Sequence, residues 1–435
     1  MSPFTIGLIF IGVLLVLLFL RMPVGLVMAL VGFVGFAYIT TVEGAYGQLR
    51  IVPISITANY DLCVIPLFML MGSLAYHSGL SQDLYYGAHK CVGDLPGGLA
   101  IATILGCCGF AAVCGSTLAT AATMGMVALP EMKKYHYDPA LATGAVASGG
   151  SLGILIPPSS IFIIYGILTE QSISRLFISG IFPGLLLAAL FITAIYVQVK
   201  VNPKLGPPSE RIPFVEKLKS IKHMWTVLTL FFVIMGGLYM GVFTATEAAG
   251  VGAFGAFLAG LIKKRLTRQK LIAALLEAMR STAMIFVIII GAMIFGYFLT
   301  VSRFTSELAN FVAGFHVSRY VIFAGIIVVY MILGCLMDTM AMVILTVPIF
   351  YPLIIKMGFD PIWFGVIMVL ISEMGVITPP VGMNVYVVHG IAKDVPMFTI
   401  FRGVMPFFIM MIVCIVLLTI FPQIVLYLPN LMGGR

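Results

Sequence analysis

Two short stretches place a proline pair inside a long apolar run: "GILIPPSS", Gly153 to Ser160, and "GVITPPVG", Gly375 to Gly382. Each proline lacks a backbone donor and clashes with the preceding turn, so each pair predicts a broken helix. The break frees upstream carbonyl oxygens, which are hard ligands suited to a sodium ion. The half-helix that follows presents free amides, which favour an anion. Ser159 and Ser160 add hydroxyls at the first break. Small and polar residues also interrupt two other apolar segments, "CGST" from Cys114 and "MDT" from Met337. If each marks a hairpin tip, one helix ends and another begins there, with the same pair of chemistries. Tip one with break one, and tip two with break two, form two candidate cation sites.

Single residues sharpen this. Asp338 lies mid-hairpin, where an ionisable group is costly and usually functional; ion coupling or substrate handling is expected, and tip capping is the alternative. Glu373 precedes the second break, and a structural hydrogen bond is preferred there over a function. Ser116, Thr117, Thr339 and Asn384 carry groups that bind a substrate or an ion, and that equally cap helices. Glu247 in "TATEAA" predicts a capping box with Thr244.

The elements that position these residues follow from composition. Of 435 residues, 61% are hydrophobic and 9% charged, with mean hydropathy +1.15. Apolar runs of about 20 residues recur from Phe4 to Leu428, which predicts an all-α polytopic membrane protein and not a barrel. The first run, "FTIGLIFIGVLLVLLFL", is too long for a signal-peptide core and lacks a preceding basic segment, so it reads as a retained span. The net charge of +8 sits in short loops with few aromatics, which argues for membrane topology and against nucleic-acid binding. Cys63, Cys91, Cys107, Cys108, Cys114, Cys335 and Cys414 form no CxxC pair and read as packing residues. The six histidines show no metal-ligand spacing. With no nucleophile–base pair or phosphate loop, an enzyme is not expected.

Two basic loops orient the chain. One holds Lys200, Lys204, Arg211, Lys217, Lys219 and Lys222; the other holds Lys263, Lys264, Arg265, Arg268 and Lys270. Between them, Met224 to Ile262 fits two helices, so both loops share one side, the cytoplasm by the positive-inside rule. Counting outward puts the N-terminus outside and Arg21, Lys90, Lys133, Lys134, Arg280, Lys393 and Arg402 inside. Arg50, Arg175, Arg303, Arg319, Lys356 and Arg435 fall outside, so most of the 24 cations lie inside. "GLSQDLYYGAHKCVGDLPGG" and "KKRLTRQKLIAALLEAMRS" read as amphipathic interfacial helices, with plain loops as the alternative.

Gly97 to Glu131 and Arg319 to Ile355 are apolar, about 35 residues each, and too short for two crossings of about 20 residues plus a turn. Re-entrant hairpins satisfy both length and parity. An offset of 222 positions carries Pro157-Pro158 onto Pro379-Pro380, Thr117 onto Thr339, Pro130 onto Pro352, Asp138-Pro139 onto Asp360-Pro361 and Gly153 onto Gly375. One hairpin enters from the cytoplasm and the other from outside, so the repeats are inverted, the pattern of secondary transporters. The expected organisation is scaffold helices over 1–60; a first repeat over 61–200, with hairpin 97–131 and broken helix 139–169; scaffold helices and cytoplasmic basic loops over 201–280; and a second repeat over 281–435, with hairpin 319–355 and broken helix 361–392.

The stretches "PLFMLMGSLA", "CGSTLATAATMG", "GILIPPSSIFIIYGILTEQSI", "TATEAAGVGA" and "GVITPPVGMNVYV" resemble the large membrane (M) subunit of tripartite ATP-independent periplasmic (TRAP) transporters, the DctM-like family. The resemblance covers nearly the whole chain; Ala245 stands where that family's "TPTEAA" motif has proline. It implies an elevator-type, ion-transporter-superfamily-like fold in the bacterial inner membrane and import of a small organic anion (a carboxylate, sialic acid or sulfonate) coupled to Na+. It implies two protein partners: a periplasmic substrate-binding protein (P) and a small membrane subunit (Q) of about four helices. Membrane lipid surrounds the whole. Carried over by motif, Gly115, Ser116, Thr117, Gly153, Pro157 and Ser159 belong to one sodium site. Met337, Asp338, Thr339, Thr378, Pro379 and Gly382 belong to the other. Substrate contacts are expected between the tips, from Ser116, Ser159, Ser160, Asp338 and Asn384. The alternative is a stand-alone sodium/anion carrier or exchanger that needs no binding protein.

Overall fold

The structure, a computed structural model, describes residues 2–20, 22–209, 212–314, 317–335 and 337–432. Arg21, Arg211 and Arg435, three of the cations used for orientation, lie outside the described residues. The described residues form helices throughout. α1 (Pro3–Phe19), α2 (Val24–Ile39), α3 (Val42–Thr57) and α4 (Val64–His77) come first. α5 (Leu80–Val92) leads into the pair α6 (Gly98–Cys114) and α7 (Thr117–Lys134). α8 (Pro139–Gly150), the short α9 (Leu152–Leu155) and α10 (Ser160–Thr169) make the first broken helix, bent by 40° at the proline pair. α11 (Ile173–Val201), α12 (Phe214–Tyr239), α13 (Ala245–Ile262) and α14 (Arg268–Val301) are long apolar helices. After α15 (Phe304–Ala313), the pair α16 (Arg319–Gly334) and α17 (Thr339–Lys356) precedes the second broken helix, α18 (Pro361–Ile377) and α19 (Met383–Ile391). α20 (Met397–Ile420) and α21 (Gln423–Met432) close the chain.

Local chemistry explains the starts of these helices. Asp138 and Asp360 sit one residue before a proline at the first helical position, where no amide donor is needed. The Asp138 carboxylate accepts from the Ala140 and Leu141 amides at 2.9 and 3.1 Å, and Asp360 accepts from Ile362 and Trp363 at 2.8 and 3.0 Å. Thr244 and Glu247 form the expected capping box at the start of α13.

Among the described residues seven helices are long and apolar enough to cross a membrane, or eight if the bent pair is one span. They meet through small residues, because lipid tails give two apolar helices no reason to prefer each other and close backbone packing must do so instead. A side chain on Gly25 or Gly32 of α2 would come within 2.8 or 2.7 Å of an α-carbon of α14. α8 is buried from Leu141 to Gly150 and α18 from Ile362 to Ile377, so the two broken helices form the centre of the molecule. Val16, Trp225, Phe232 and Val287 stand on the exterior, the apolar surface that lipid requires.

The structure corrects two sequence expectations. "KKRLTRQKLIAALLEAMRS" is not a separate interfacial helix, because from Arg268 onward it opens α14, a continuous helix of 34 residues. No proline interrupts that run, so nothing ends the hydrogen-bond ladder at the interface. For the same reason the expected boundary between 280 and 281 falls inside α14 and cannot separate two units. By contrast, α5 is a short amphipathic helix that buries Leu80, Leu84, Tyr85 and Ala88.

The basic loop after α13 clamps α5. Asp83, nearly buried, accepts from Lys263 Nζ at 2.5 Å and Arg265 Nη1 at 2.9 Å. Asp83→Ala leaves both cations without that partner. Because Lys263 and Arg265 still reach water, the expected loss is about 1–2 kcal/mol, below the cost of breaking a fully buried pair. Thermal unfolding of purified protein followed by intrinsic fluorescence checks this; an unchanged midpoint means the clamp carries no stability.

Candidate transport site

Tip one is the connection between α6 and α7. Gly115 there has φ +62°, which a residue with a Cβ adopts at a cost. A Cβ on it would also lie 2.6 Å from the Pro158 carbonyl oxygen. Ser116 caps α7, accepting from the Ala119 amide at 3.4 Å, and Ser159 caps α10, accepting from Phe162 at 3.4 Å. Ser160 Oγ donates to the Gly115 carbonyl at 3.1 Å. A Cβ on Gly153 would sit 2.6 Å from the Ser116 carbonyl oxygen and 2.7 Å from Thr120 Oγ1. Tip one and break one therefore touch at Gly115, Ser116, Gly153, Pro158 and Ser160.

Tip two lies between α16 and α17. Asp338 caps α17, accepting from the Met340 and Ala341 amides, each at 3.1 Å. Cys335 Sγ donates to the Pro379 carbonyl at 3.0 Å, and Thr378 Oγ1 donates to Gly375 at 3.1 Å. α16 and α18 touch backbone to backbone, since a Cβ on Gly334 would lie 2.7 Å from the Gly375 α-carbon. Gly382, with φ +60°, opens α19.

The predicted substrate residues do not face one cavity. Ser116 lines a cavity of about 210 Å³ with Ser73, Tyr76, Thr123 and Glu277. Met337 and Asp338 line another of about 460 Å³ with Leu18, Phe19 and Met383. Ser159 and Ser160 are buried, and their hydroxyls are engaged by backbone. Asn384 is also buried and donates to the Ala147 carbonyl at 3.0 Å.

The two halves meet at Glu373. Thr339 Oγ1 donates to Glu373 Oε1 at 3.1 Å. Thr117 and Ser151 lie close enough to influence the same carboxyl without closing a hydrogen bond to it. Ser151 was missed from the sequence, although it stands one repeat offset before Glu373, as Thr117 stands before Thr339. Thr120 beside Gly153 was missed too, because a threonine within a helix gives no signal of its own. Each of these donor sets is built from oxygen, and oxygen suits hard cations such as sodium. Among the described residues no group of three His, Cys, Asp or Glu side chains is placed to hold a metal ion.

Residues 11–424 match the family model described as tripartite ATP-independent periplasmic transporter, DctM component. The chain belongs to this family. It is 37% identical over 376 residues to the C4-dicarboxylate TRAP transporter large permease protein DctM of Pseudomonas aeruginosa, covering 86% of this chain and 87% of that one. It is 32% identical over 424 residues to the sialic acid TRAP transporter large permease protein SiaM of Vibrio cholerae, covering 96% and 97%. The fold is similar to the crystal structure of the Alcanivorax borkumensis YdaH transporter, with TM-score 0.62 at 15% identity over 90% of this chain and 89% of that one. This TRAP large permease is thus a multi-pass inner-membrane transporter subunit and not an enzyme.

Proposed function

We propose that this permease imports a small organic anion by coupling it to sodium, with the substrate delivered by a separate periplasmic binding protein. A small membrane subunit accompanies it, and the two hairpins with their broken helices move as an elevator against the remaining helices. The observation that carries this reading is the paired construction: each hairpin tip is tied to its own proline break, and the two assemblies stand one repeat offset apart. A proline break leaves helix ends inside the membrane, where free carbonyls suit a cation and free amides an anion. Relatives are named for C4-dicarboxylate, sialic acid, isethionate and 2,3-diketo-L-gulonate transport. Those compounds share an anionic group, which supports an organic anion as the substrate. Gly115, Ser116, Thr117, Gly153, Pro157 and Ser159 serve the first sodium; Met337, Asp338, Thr339, Thr378, Pro379 and Gly382 serve the second. Ser116 and Asp338, which line cavities, are the primary substrate contacts.

The conformation reads as inward-facing. The Asp338 cavity runs along Leu18, Phe19 and Met22, at the end of α1 that the charge bias places inside. The Ser116 cavity reaches Tyr76 and Glu277, near the inner ends of α4 and α14.

The test is uptake of labelled succinate, sialic acid and isethionate into proteoliposomes holding the permease and its small subunit, with binding protein added. Accumulation is expected only under an inward sodium gradient. Equal uptake with choline replacing sodium overturns the coupling, and full uptake without binding protein favours a stand-alone carrier. Asp338 adds a finer check. Asp338→Ala loses the α17 cap, about 1 kcal/mol, and the charge; Asp338→Asn keeps an equally good cap and loses only the charge. Sodium-driven uptake should fall at least tenfold in both, and rescue by asparagine would reduce Asp338 to a cap.

A further inference from the structure

Glu373 is the only fully buried acidic side chain among the described residues. It sits one turn before the end of α18, deep among apolar helices. A carboxylate offers about four acceptor sites. Here Oε1 receives one hydrogen bond, from Thr339, and Oε2 receives none. Thr117 and Ser151 lie close enough to influence the same carboxyl, and their buried hydroxyls close no hydrogen bond. Among the described residues no cationic side chain pairs with it. A purely structural glutamate would be satisfied by its neighbours, because an unpaired buried charge is among the costliest features a protein holds. The N-termini of α7 and α17, which Thr117 and Thr339 open, favour the negative charge. Each supplies only about half an elementary charge, where a desolvated carboxylate calls for a whole one.

Four oxygen groups with unused lone pairs thus converge from four helical elements, one of them negative. Oxygen-only donors suit a hard cation, and a single negative charge is neutralised by a monovalent one. We propose that Glu373, Thr117, Ser151 and Thr339 form a third sodium site, on the seam between the two repeats, which shares Thr117 with the first tip-and-break site and Thr339 with the second. The proposal rests on the sodium-symport reading above. Its consequence is mechanical. Thr117 opens the second arm of one hairpin and Thr339 that of the other, so one ion here draws both hairpins together before they move. The site also accounts for an acid at 373 where the equivalent position in the first repeat is Ser151: one charge serves the pair.

The test is equilibrium binding of radioactive sodium to the purified complex of permease and small subunit, at constant ionic strength with choline. Glu373→Gln should bind one sodium fewer per permease than wild type. Ser151→Ala keeps the charge and alters neither tip-and-break site, and it should weaken one class of sodium about tenfold. If Glu373→Gln does not fold, the Ser151→Ala result decides alone. Unchanged number and affinity in the variants overturns the third site, as does an effect on proton uptake with the sodium count intact. Sodium binding to wild type that Glu373→Gln leaves unaltered sinks only this inference; no sodium binding to wild type sinks the symport reading with it.

Discussion

Replacing Pro157 and Pro158 together by alanine should abolish sodium-driven uptake while leaving the protein folded and no less stable. Each proline in a helix interior is about 3 kcal/mol less favourable than alanine, so the substitution lets α9 run on into α10. A continuous helix cannot keep the 40° bend between the two segments. Straightening it moves the Ser160 hydroxyl off the Gly115 carbonyl and turns the Ser159 cap into an ordinary helical residue. The carbonyls freed by the break regain amide partners and are lost as ion ligands. Displacements of about 1 Å in a positioned site cost about 100-fold in rate, so uptake should fall by at least that factor. The decisive comparison is uptake against thermal midpoint in the same preparation. Lost uptake with an unchanged or raised midpoint is the expected pair of results; normal uptake would refute the role given to the break.

Gly153→Val is the second large effect. Even a Cβ at this position would sit 2.6 Å from a backbone carbonyl and 2.7 Å from Thr120 Oγ1. A side-chain end rotates away from such a clash, but the Ser116 carbonyl belongs to tip one and moves only with it. The break must therefore separate from the tip by nearly an ångström. Overpacking of this kind costs typically 1–3 kcal/mol, with more expected for valine than alanine because two further methyls enter the same gap. The sodium concentration for half-maximal uptake should rise at least tenfold, with alanine intermediate. Gly250→Ala in α13, where nothing lies within 4 Å, is the control and should be silent. A Gly153→Val protein with wild-type sodium dependence would show that tip and break need not touch.

Particular residues show how far the chain speaks for itself. The two proline pairs, the Asp-Pro helix starts and the Thr244–Glu247 box are each local. They act through backbone donors within a few residues, so their consequences are legible in the string and appear where expected. The tips were legible for the same reason, since Gly115 and the residues before Thr339 interrupt apolar runs that have no other cause to stop. Hydropathy likewise announced a helical membrane protein, because lipid leaves the backbone few alternatives.

What only the folded chain decided is which groups meet. Ser159 and Ser160 look like free hydroxyls in the sequence, yet backbone amides and carbonyls engage them. Gly153 stands out in the sequence only as a match to Gly375 and a ligand by resemblance, and Gly334 not at all, yet both are places where two backbones touch. Glu373 looks like a lone acid before a break, yet it gathers Thr117, Ser151 and Thr339 from three other elements. The physical reason is one of range. A helix break or a cap is set by hydrogen bonds within about four residues, whereas a site in the membrane centre is set by close packing between helices more than a hundred residues apart, and periodicity carries no record of those partners.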